Sequence, residues 1–528
     1  MVVLDKKNKM TKGTEQRSFR KVLVANRGEI AVRVIQAVQQ RGMIAVAVYS
    51  EPDANAKHVQ LADEAYPLGG QTSADSYLKT DIILEICQTN NVCAVHPGYG
   101  FLSENANFSR ACTDAGITFI GPTPEAMESM GDKIRAKAVM EKAGVPVVPG
   151  FVAAENTADE TYLAEAERIG YPVLVKASAG GGGKGMRLVK SADDLLDGID
   201  AARREAQNSF GDPRIFLEKY IERPRHIEFQ IFGDHHGNRV QLFERECSIQ
   251  RRHQKIIEET PSVALTPELR EKMGEAALKA ANAIDYTNAG TVEFILSADG
   301  SFYFLEVNTR LQVEHPVTEC VTGTDLVSAQ LDVAMGKPLP WAQDDLTQHG
   351  HAIECRIYAE DPDNGFVPSI GPVLLYQEPE GPNIRVDSGV QGGQEVTIYY
   401  DPMLAKLIVW APNRQEAIER MRWALQRYLI LGFVTNMPFL SRVMQHPQFQ
   451  SGDIHTHFLE EHPVGSGRPE GKTLAQLASL AVIQQKSPHA LSALKANVIR
   501  ETEGVASMAF TGHDPAKVLA SGFRMGGV

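Results

Sequence analysis

Two acidic residues, Glu293 and Glu306, flank an Asp-Gly pair at a spacing that brings their carboxyl groups together. Residues 291–296 and 302–307 read as strands, and Asp299-Gly300 between them is a strong two-residue hairpin signal. With that turn Ala298 faces Ser301, and counting outward sets Glu293 opposite Glu306, with Cβ atoms ~5 Å apart. Carboxylates that close repel unless a cation lies between them, and a hard divalent ion with oxygen ligands suits the pair. Asn308, two residues past Glu306, points to the same side and adds an oxygen. A one-residue slip in register would instead split the two acids across the faces.

The same parity continues through Arg310, Gln312 and Glu314, alternating with Val307, Thr309, Leu311 and Val313. Polar groups in succession on one face do not build a core. That face reads as an active-site floor, with an exposed amphipathic edge as the alternative, and His315-Pro316 is expected to end the strand. Arg310 offers a planar fork matched to carboxylate or bicarbonate, and Glu314 a general base.

Two further segments suit anions. Arg251, His253 and Lys255 share a face if the chain is extended there, which calls for phosphate or bicarbonate; a solvated charged face is an equal reading. The glycines Gly180 to Gly183, followed by Lys184-Gly185, let backbone amides crowd an anion. This run is not a P-loop, because Met186 and a strand follow it. With Lys176 fixed just before it, it reads as a mobile lid over phosphates, against a floppy hairpin loop.

These groups need a scaffold. A strand at 21–25, a helix at 29–40 and a strand at 44–49 open the chain. Alternation continues through 92–95, 106–115 and 117–120, predicting an α/β layer with a parallel sheet. Its first turn, Asn26-Arg27-Gly28-Glu29, lacks GxGxxG, so a plain turn is favoured over a nucleotide site. His96, before Pro97-Gly98, reads as a turn stabiliser or a catalytic group. Strands at 172–176, 186–189 and 215–220 with a helix at 192–209 predict a smaller α+β unit. The expected divisions are a disordered leader at 1–20, an N-terminal α/β domain at 21–147, a lid domain at 148–220, a core and C-terminal domain at 221–462, and a linker with helical tail at 463–528.

Composition narrows the classes. A net charge of −13 argues against a nucleic-acid binder, while local Lys and Arg clusters still suit an anionic substrate. The six cysteines are widely spaced with no CxxC pair, which reads as free thiols in a reducing compartment. No apolar run approaches the ~20 residues that cross a bilayer. The first twenty residues have no apolar stretch behind their lysines, so a cytoplasmic chain without membrane contact is expected.

The runs 21–33, His96-Pro-Gly-Tyr-Gly-Phe-Leu-Ser-Glu104, the glycine loop, 251–259, Glu306-Val-Asn-Thr-Arg-Leu-Gln-Val-Glu-His-Pro316 and Glu354-Cys-Arg356 resemble, in order, the biotin carboxylases of the ATP-grasp superfamily. The resemblance covers residues 20–462. It implies an α/β fold with an N-terminal α/β domain, an ATP-grasp fold with a mobile glycine-loop lid, and a C-terminal biotin carboxylase domain, commonly as a homodimer. It further implies that Lys133 and Lys176 bind ATP phosphates under a lid containing Gly182 and Gly183. Glu218, Lys219, Tyr220 and Ile221 would form the adenine-side hinge, and His226 and His253 would contact the nucleotide. Glu293, Glu306 and Asn308 would hold magnesium or manganese. Lys255, Arg310, Gln312 and Val313 would hold bicarbonate, Glu314 would deprotonate it, and Arg356 would stabilise the biotin enolate.

The implied reaction is ATP-dependent carboxylation of biotin through carboxyphosphate. No Ala-Met-Lys-Met biotin attachment site occurs, so biotin would arrive on a separate carrier, with a carboxyltransferase subunit as a further partner. The end of the chain, from Ala520, resembles the segment following the carboxylase domain in α subunits of 3-methylcrotonyl-CoA and related acyl-CoA carboxylases, so a truncated α subunit is one expectation. The alternatives are an ATP-grasp carboxylate–amine ligase and an inactive ATP-binding regulator. The latter is disfavoured by the presence of Glu293, Glu306, Asn308 and Glu314 together.

Overall fold

Lys21–Val24 (β1) is apolar apart from its first residue, and its three valine and leucine side chains are all buried. A strand covered on both faces belongs inside a parallel sheet. It pairs in parallel with Ile44–Tyr49 (β2) on one side and Ala94–His96 (β4) on the other; Glu64–Pro67 (β3) and Thr118–Phe119 (β5) complete the order β3-β2-β1-β4-β5. Helix α1, Gly28–Gln40, buries Ile30, Ala31, Val34, Ile35 and Val38 along one stripe. His96 is wholly buried: Gly98 N–H donates to its Nδ1 at 3.0 Å, and its other nitrogen meets Gln330 at 3.2 Å. Burial pushes its pKa down to about 4, so it is a neutral turn stabiliser.

The computed structural model describes residues 18–153, 157–178 and 186–465. The predicted glycine lid, with Gly182 and Gly183, and the predicted tail helix lie outside the described residues. The chain divides into units at Met1–Gly467 and Arg468–Val528, and everything below concerns the first.

A four-stranded antiparallel sheet follows, ordered β6-β9-β7-β8, from Gly150–Val152 (β6), Val173–Ala177 (β7), Met186–Val189 (β8) and Ile215–Lys219 (β9). Helix α2, Lys133–Lys142, precedes it, and Asp132 caps that helix by accepting from Arg135 N–H at 2.9 Å. An eight-stranded antiparallel sheet carries the rest: Arg225–Gly233 (β10), Arg239–Arg251 (β11), Gln254–Thr260 (β12), Asn288–Leu296 (β13), Phe302–Asn308 (β14), His351–Tyr358 (β15), Ile384–Ser388 (β16) and Met403–Ala411 (β17). Its order is β14-β13-β10-β11-β12-β15-β17-β16. Helix α3, Pro267–Ala283, packs Met273, Ala276, Ala277 and Ala280 against Phe229 and Phe294 on one side of this sheet, leaving the opposite side for chemistry.

Three local expectations are corrected. Glu293 does pair with Glu306, but the turn is not the two-residue one. Ser297 N–H bonds to Ser301 O at 2.8 Å around a three-residue loop whose Gly300 has φ +84°, which shifts the register by one. An extra residue at Leu305 then shifts it back between Phe294↔Phe304 and Glu293↔Glu306. Second, the segment 251–255 is not extended: Arg252 and His253 take φ 49° and 66°, a tight reversal that pairs Arg251 with Gln254. Its three cations therefore part company, with Arg251 on Glu360 at 2.9 Å and His253 exposed at the tip. Third, β14 stops at Asn308, and His315-Pro316 begins helix α4, His315–Thr322, rather than ending a strand. Proline suits a first helical turn because its missing N–H has no partner there anyway.

Candidate active site

Where β14, β13, β10 and β11 lie side by side, their registers make Glu306, Glu293, Glu228 and Arg245 direct neighbours. Three carboxyl groups in a row repel one another, and the fold tolerates them because cations reach in. Lys255, on β12, extends its amine to Glu228, to Glu293 at 2.8 Å and to Glu314 at 2.7 Å. Burial would lower its pKa, but Glu228, Glu293 and Glu314 together hold it well above the usual lysine value, so it stays charged. Arg245, with no exposed surface, donates to Glu228 at 2.5 Å, Gln230 at 2.8 Å and Gln312 at 3.0 Å.

The acids divide by environment. Burial pushes Glu293 upward, but Lys255 and His226, the latter 3.0 Å away, outweigh it and hold Glu293 well below the carboxylate range. Burial is likewise outweighed at Glu314, by Lys255 and Arg356. Glu228 is raised by burial and by Glu314, and Glu306 by burial and by Glu293. A cation between the facing acids would relieve that repulsion. Asn308 donates to Glu293 at 2.8 Å and accepts from Arg310 at 3.1 Å, so its amide nitrogen faces the pair, and its oxygen would reach a cation there with the amide turned over. His226, Glu228 and Glu293 also bring one ligand atom each within 4.8 Å of one another. The all-oxygen group Glu293, Glu306 and Asn308 suits a hard divalent ion better.

The segment 309–314 forms no strand, yet its side chains still converge. Arg310 donates to Glu104 at 2.9 Å, and Glu104 also accepts from Thr309 N–H at 3.0 Å. Gln312 donates to Glu293 at 2.9 Å. Arg356 spans Glu258 at 2.6 Å and Glu314 at 2.9 Å. Val313 enters through its backbone, its carbonyl accepting from Lys406 at 2.9 Å. Lys255, Arg310, Gln312, Glu314 and Arg356 are thus one network connected through Glu293 and Asn308, with Val313 joined to it along the chain.

A second cluster faces it from the four-stranded sheet. Lys176 and Lys137 donate to Glu218 at 2.6 and 3.1 Å; burial would raise Glu218, and the two lysines instead hold it below the usual range. Lys133, Lys176, Phe216 and Glu218 line a small cavity of about 40 Å³ with Phe304 and Leu305 of β14, so both sheets contribute to one cleft. Of the other predicted hinge residues, Lys219 spends its amine on the carbonyls of Gly170 and Tyr171 at 2.7 and 3.2 Å. Tyr220 lines a separate hollow with Tyr171 and Arg223, and Ile221 follows, half-buried. His226 joins the acid row, whereas His253 stands apart from it on its exposed hairpin tip.

Several residues escaped the sequence reading. His226, Glu228 and Gln230 alternate with Ile227, Phe229 and Ile231, the same period-two signal that drew attention to 306–314, and it exposes Glu228. Arg245 and Glu258 give no such signal, because charged neighbours, Glu244 and Glu246 in one strand and Glu259 in the other, break the alternation. Glu104 and Lys406 reach the site only through tertiary folding, and no local pattern announces them.

Two sheets closing over a cleft of lysines and acids define an ATP-grasp architecture. Residues 18–127 match the family described as biotin carboxylase, N-terminal domain; 132–342 match carbamoyl-phosphate synthase L chain, ATP binding domain; and 354–461 match biotin carboxylase C-terminal domain. The chain is 54% identical over 443 residues to a biotin carboxylase of Nostoc sp., covering 84% of this chain and 99% of the relative. It is 51% identical over 446 residues to the mitochondrial methylcrotonoyl-CoA carboxylase subunit alpha of Mus musculus, covering 84% of this chain but 62% of that protein. A crystal structure of the biotin carboxylase domain dimer of Hydrogenobacter thermophilus 2-oxoglutarate carboxylase, in complex with MgADP, ADP and bicarbonate, superposes with a TM-score of 0.79. It is 50% identical, over 84% of this chain and 98% of that one. The chain belongs to the biotin carboxylase family. It spans about three fifths of the length of the methylcrotonoyl-CoA carboxylase alpha subunits it matches.

Proposed function

We propose that the chain carboxylates biotin borne on a carrier domain, using ATP and bicarbonate. The observation that carries this reading is the convergence of Lys255, Arg310, Gln312, Glu314 and Arg356 beside the paired acids Glu293 and Glu306. The cationic forks suit a small oxyanion. In this reading Lys133 and Lys176 receive the nucleotide phosphates. Glu293, Glu306 and Asn308 would hold magnesium or manganese, which would offset charge on the phosphoryl oxygens.

Lys255, Arg310, Gln312 and the Val313 backbone orient bicarbonate for attack on the γ-phosphorus, with ADP leaving and carboxyphosphate forming. Glu314 takes the bicarbonate proton. Its depressed pKa makes it a weak base while Lys255 and Arg356 hold it; an incoming anion that competes for those cations raises its basicity. Carboxyphosphate separates into carbon dioxide and phosphate, the phosphate removes the ureido proton of biotin, and the nitrogen attacks carbon dioxide. Arg356 faces the negative charge that develops on the ureido oxygen. His253 acts on the nucleotide only if its hairpin moves inward.

The partners that follow are a biotin carrier domain, a carboxyltransferase subunit and a second copy of the chain. No described helix is long and apolar enough to cross a membrane, and six unpaired cysteines support the cytoplasm as the compartment. ATP cleavage by the full chain, with and without bicarbonate and free biotin, tests the reading. Cleavage that needs bicarbonate and is stimulated by biotin supports it. Cleavage that needs an amine acceptor would move the chain to the carboxylate–amine ligases, and binding without turnover would make it a regulator.

A further inference from the structure

The segment 309–314 carries four of the residues assigned to bicarbonate and lacks the hydrogen-bond ladder of a strand or helix. Its shape must come from point contacts. Glu104 holds its start, the acid network its side chains, and α4 its end, where Gln312 O accepts from His315 Nδ1 at 2.8 Å and Glu314 O from Val317 N–H at 3.3 Å; between those two carbonyls, Val313 O accepts a 2.9 Å bond from Lys406 Nζ, which comes from far along the chain.

Lys406 lies on β17 with no exposed surface, directly opposite Arg356 on one side and Asp387 on the other. Two cations facing each other across strands oppose stability, and an apolar residue of similar size is commonly the more stable choice in a dry interior. Acids offset the cost. Asp387 stands 3.5 Å from the amine and Glu29 3.2 Å from it. Glu29 comes from the first turn of α1, beside the parallel N-terminal sheet. The Lys406 amine is the partner of the Glu29 carboxylate, and burial pushes that carboxyl group up to about 7.

The approach of α1 to this lysine is itself built in. Gly389, just after β16, lies so close to α1 that a Cβ on it would fall 2.5 Å from Glu29 N and 2.7 Å from Gly28 Cα. The N-terminal helix is thereby pressed against the strand that carries Asp387, with Glu29 aimed at the lysine. A carbonyl turned toward Lys406 also turns the N–H of Glu314 the opposite way, because the peptide linking Val313 to Glu314 is trans and planar.

We propose that Lys406, backed by Glu29, is a positioning residue that fixes the Val313–Glu314 peptide and so sets the geometry of the bicarbonate pocket. The inference rests on the assignment of that pocket to bicarbonate. It makes anion affinity depend on the seating of the N-terminal helix against the C-terminal strands, and leaves the nucleotide side untouched.

The test is steady-state ATP cleavage by the full chain, with bicarbonate and MgATP varied separately. Lys406→Met is expected to raise the bicarbonate KM by about tenfold or more, the loss expected for a charge-assisted hydrogen bond, with the MgATP KM within about twofold. Glu29→Gln, which keeps the lysine and leaves no acid unpaired, is expected to raise the bicarbonate KM about threefold. A residue needed only for folding would lower the yield of active protein and spare the bicarbonate KM. An unchanged bicarbonate KM in folded Lys406→Met overturns the proposal; if that variant does not fold, an unchanged value in Glu29→Gln does so. ATP cleavage by the unmodified chain that ignores bicarbonate overturns the pocket assignment itself, and this inference with it.

Discussion

The eight-stranded sheet bears charge on both halves, and the halves treat it differently. From β14 to β11 the row Glu306, Glu293, Glu228, Arg245 has more acid than base, and two of its acids are raised by their neighbours and by burial. From β15 to β16 the row Arg356, Lys406, Asp387 is closed on itself by Glu258, Glu29 and Arg385. In the proposed reading, a cation and an anion from solution complete the first half. The second balances three cations, Arg356, Lys406 and Arg385, with three acids from within the protein, although burial raises Glu29 and Glu258, and it holds the first in shape.

The most severe way to break the first half is Arg310→Ala. Bicarbonate-dependent ATP cleavage is expected to fall by roughly 10²–10³-fold, while titration with a fluorescent ATP analogue shows affinity within about twofold. Next comes Glu306→Gln, which removes one of the facing acids. The magnesium concentration for half-maximal turnover is expected to rise about tenfold, and without magnesium the variant should melt above the unmodified chain, because a repulsion is gone. A lower melting temperature would mean that Glu306 is satisfied without a cation.

The self-contained half responds more gently. Glu258→Gln keeps the shape beside Arg356 and loses the ion pair, so the KM for free biotin is expected to rise about threefold with the bicarbonate KM nearly unchanged. The smallest effect is on stability. Burial moves Glu29 from an ordinary 4.5 to about 7, so the folded chain takes up a proton that the unfolded chain lacks between those values. That contribution is full below about 4.5 and is lost as pH rises through about 7. Melting temperature should therefore fall across this window, and fall less steeply in Glu29→Gln. Glu258, also raised to about 7 by burial, keeps the slope from vanishing.

How much of this was legible follows from where each signal resides. The alternation of strands and helices along 21–120 is a local pattern, and the parallel sheet appears as read. The facing of Glu293 and Glu306 was read correctly through a wrong turn: a three-residue loop and an extra residue at Leu305 offset each other. Nothing local announces that Arg252 and His253, two successive non-glycine residues, take positive φ. Pro316 is ambiguous by nature, since a proline both ends strands and opens helices. Beyond Asn308 the parity argument loses its basis, yet Gln312 and Glu314 still reach the site because Arg245, Lys255 and Arg356 draw them in. Lys406 and Glu104 approach from far along the chain, a kind of contact that a single sequence conceals.

The most direct measurement follows oxygen. With ¹⁸O-labelled bicarbonate, the full chain, MgATP and free biotin, direct attack of bicarbonate on the γ-phosphorus delivers labelled oxygen into the released inorganic phosphate. Label in the phosphate, lost in proportion to turnover in Arg310→Ala, is the expected result. Phosphate carrying only solvent oxygen would mean that water is the nucleophile, and would contradict the reading of this cleft as a bicarbonate-activating site.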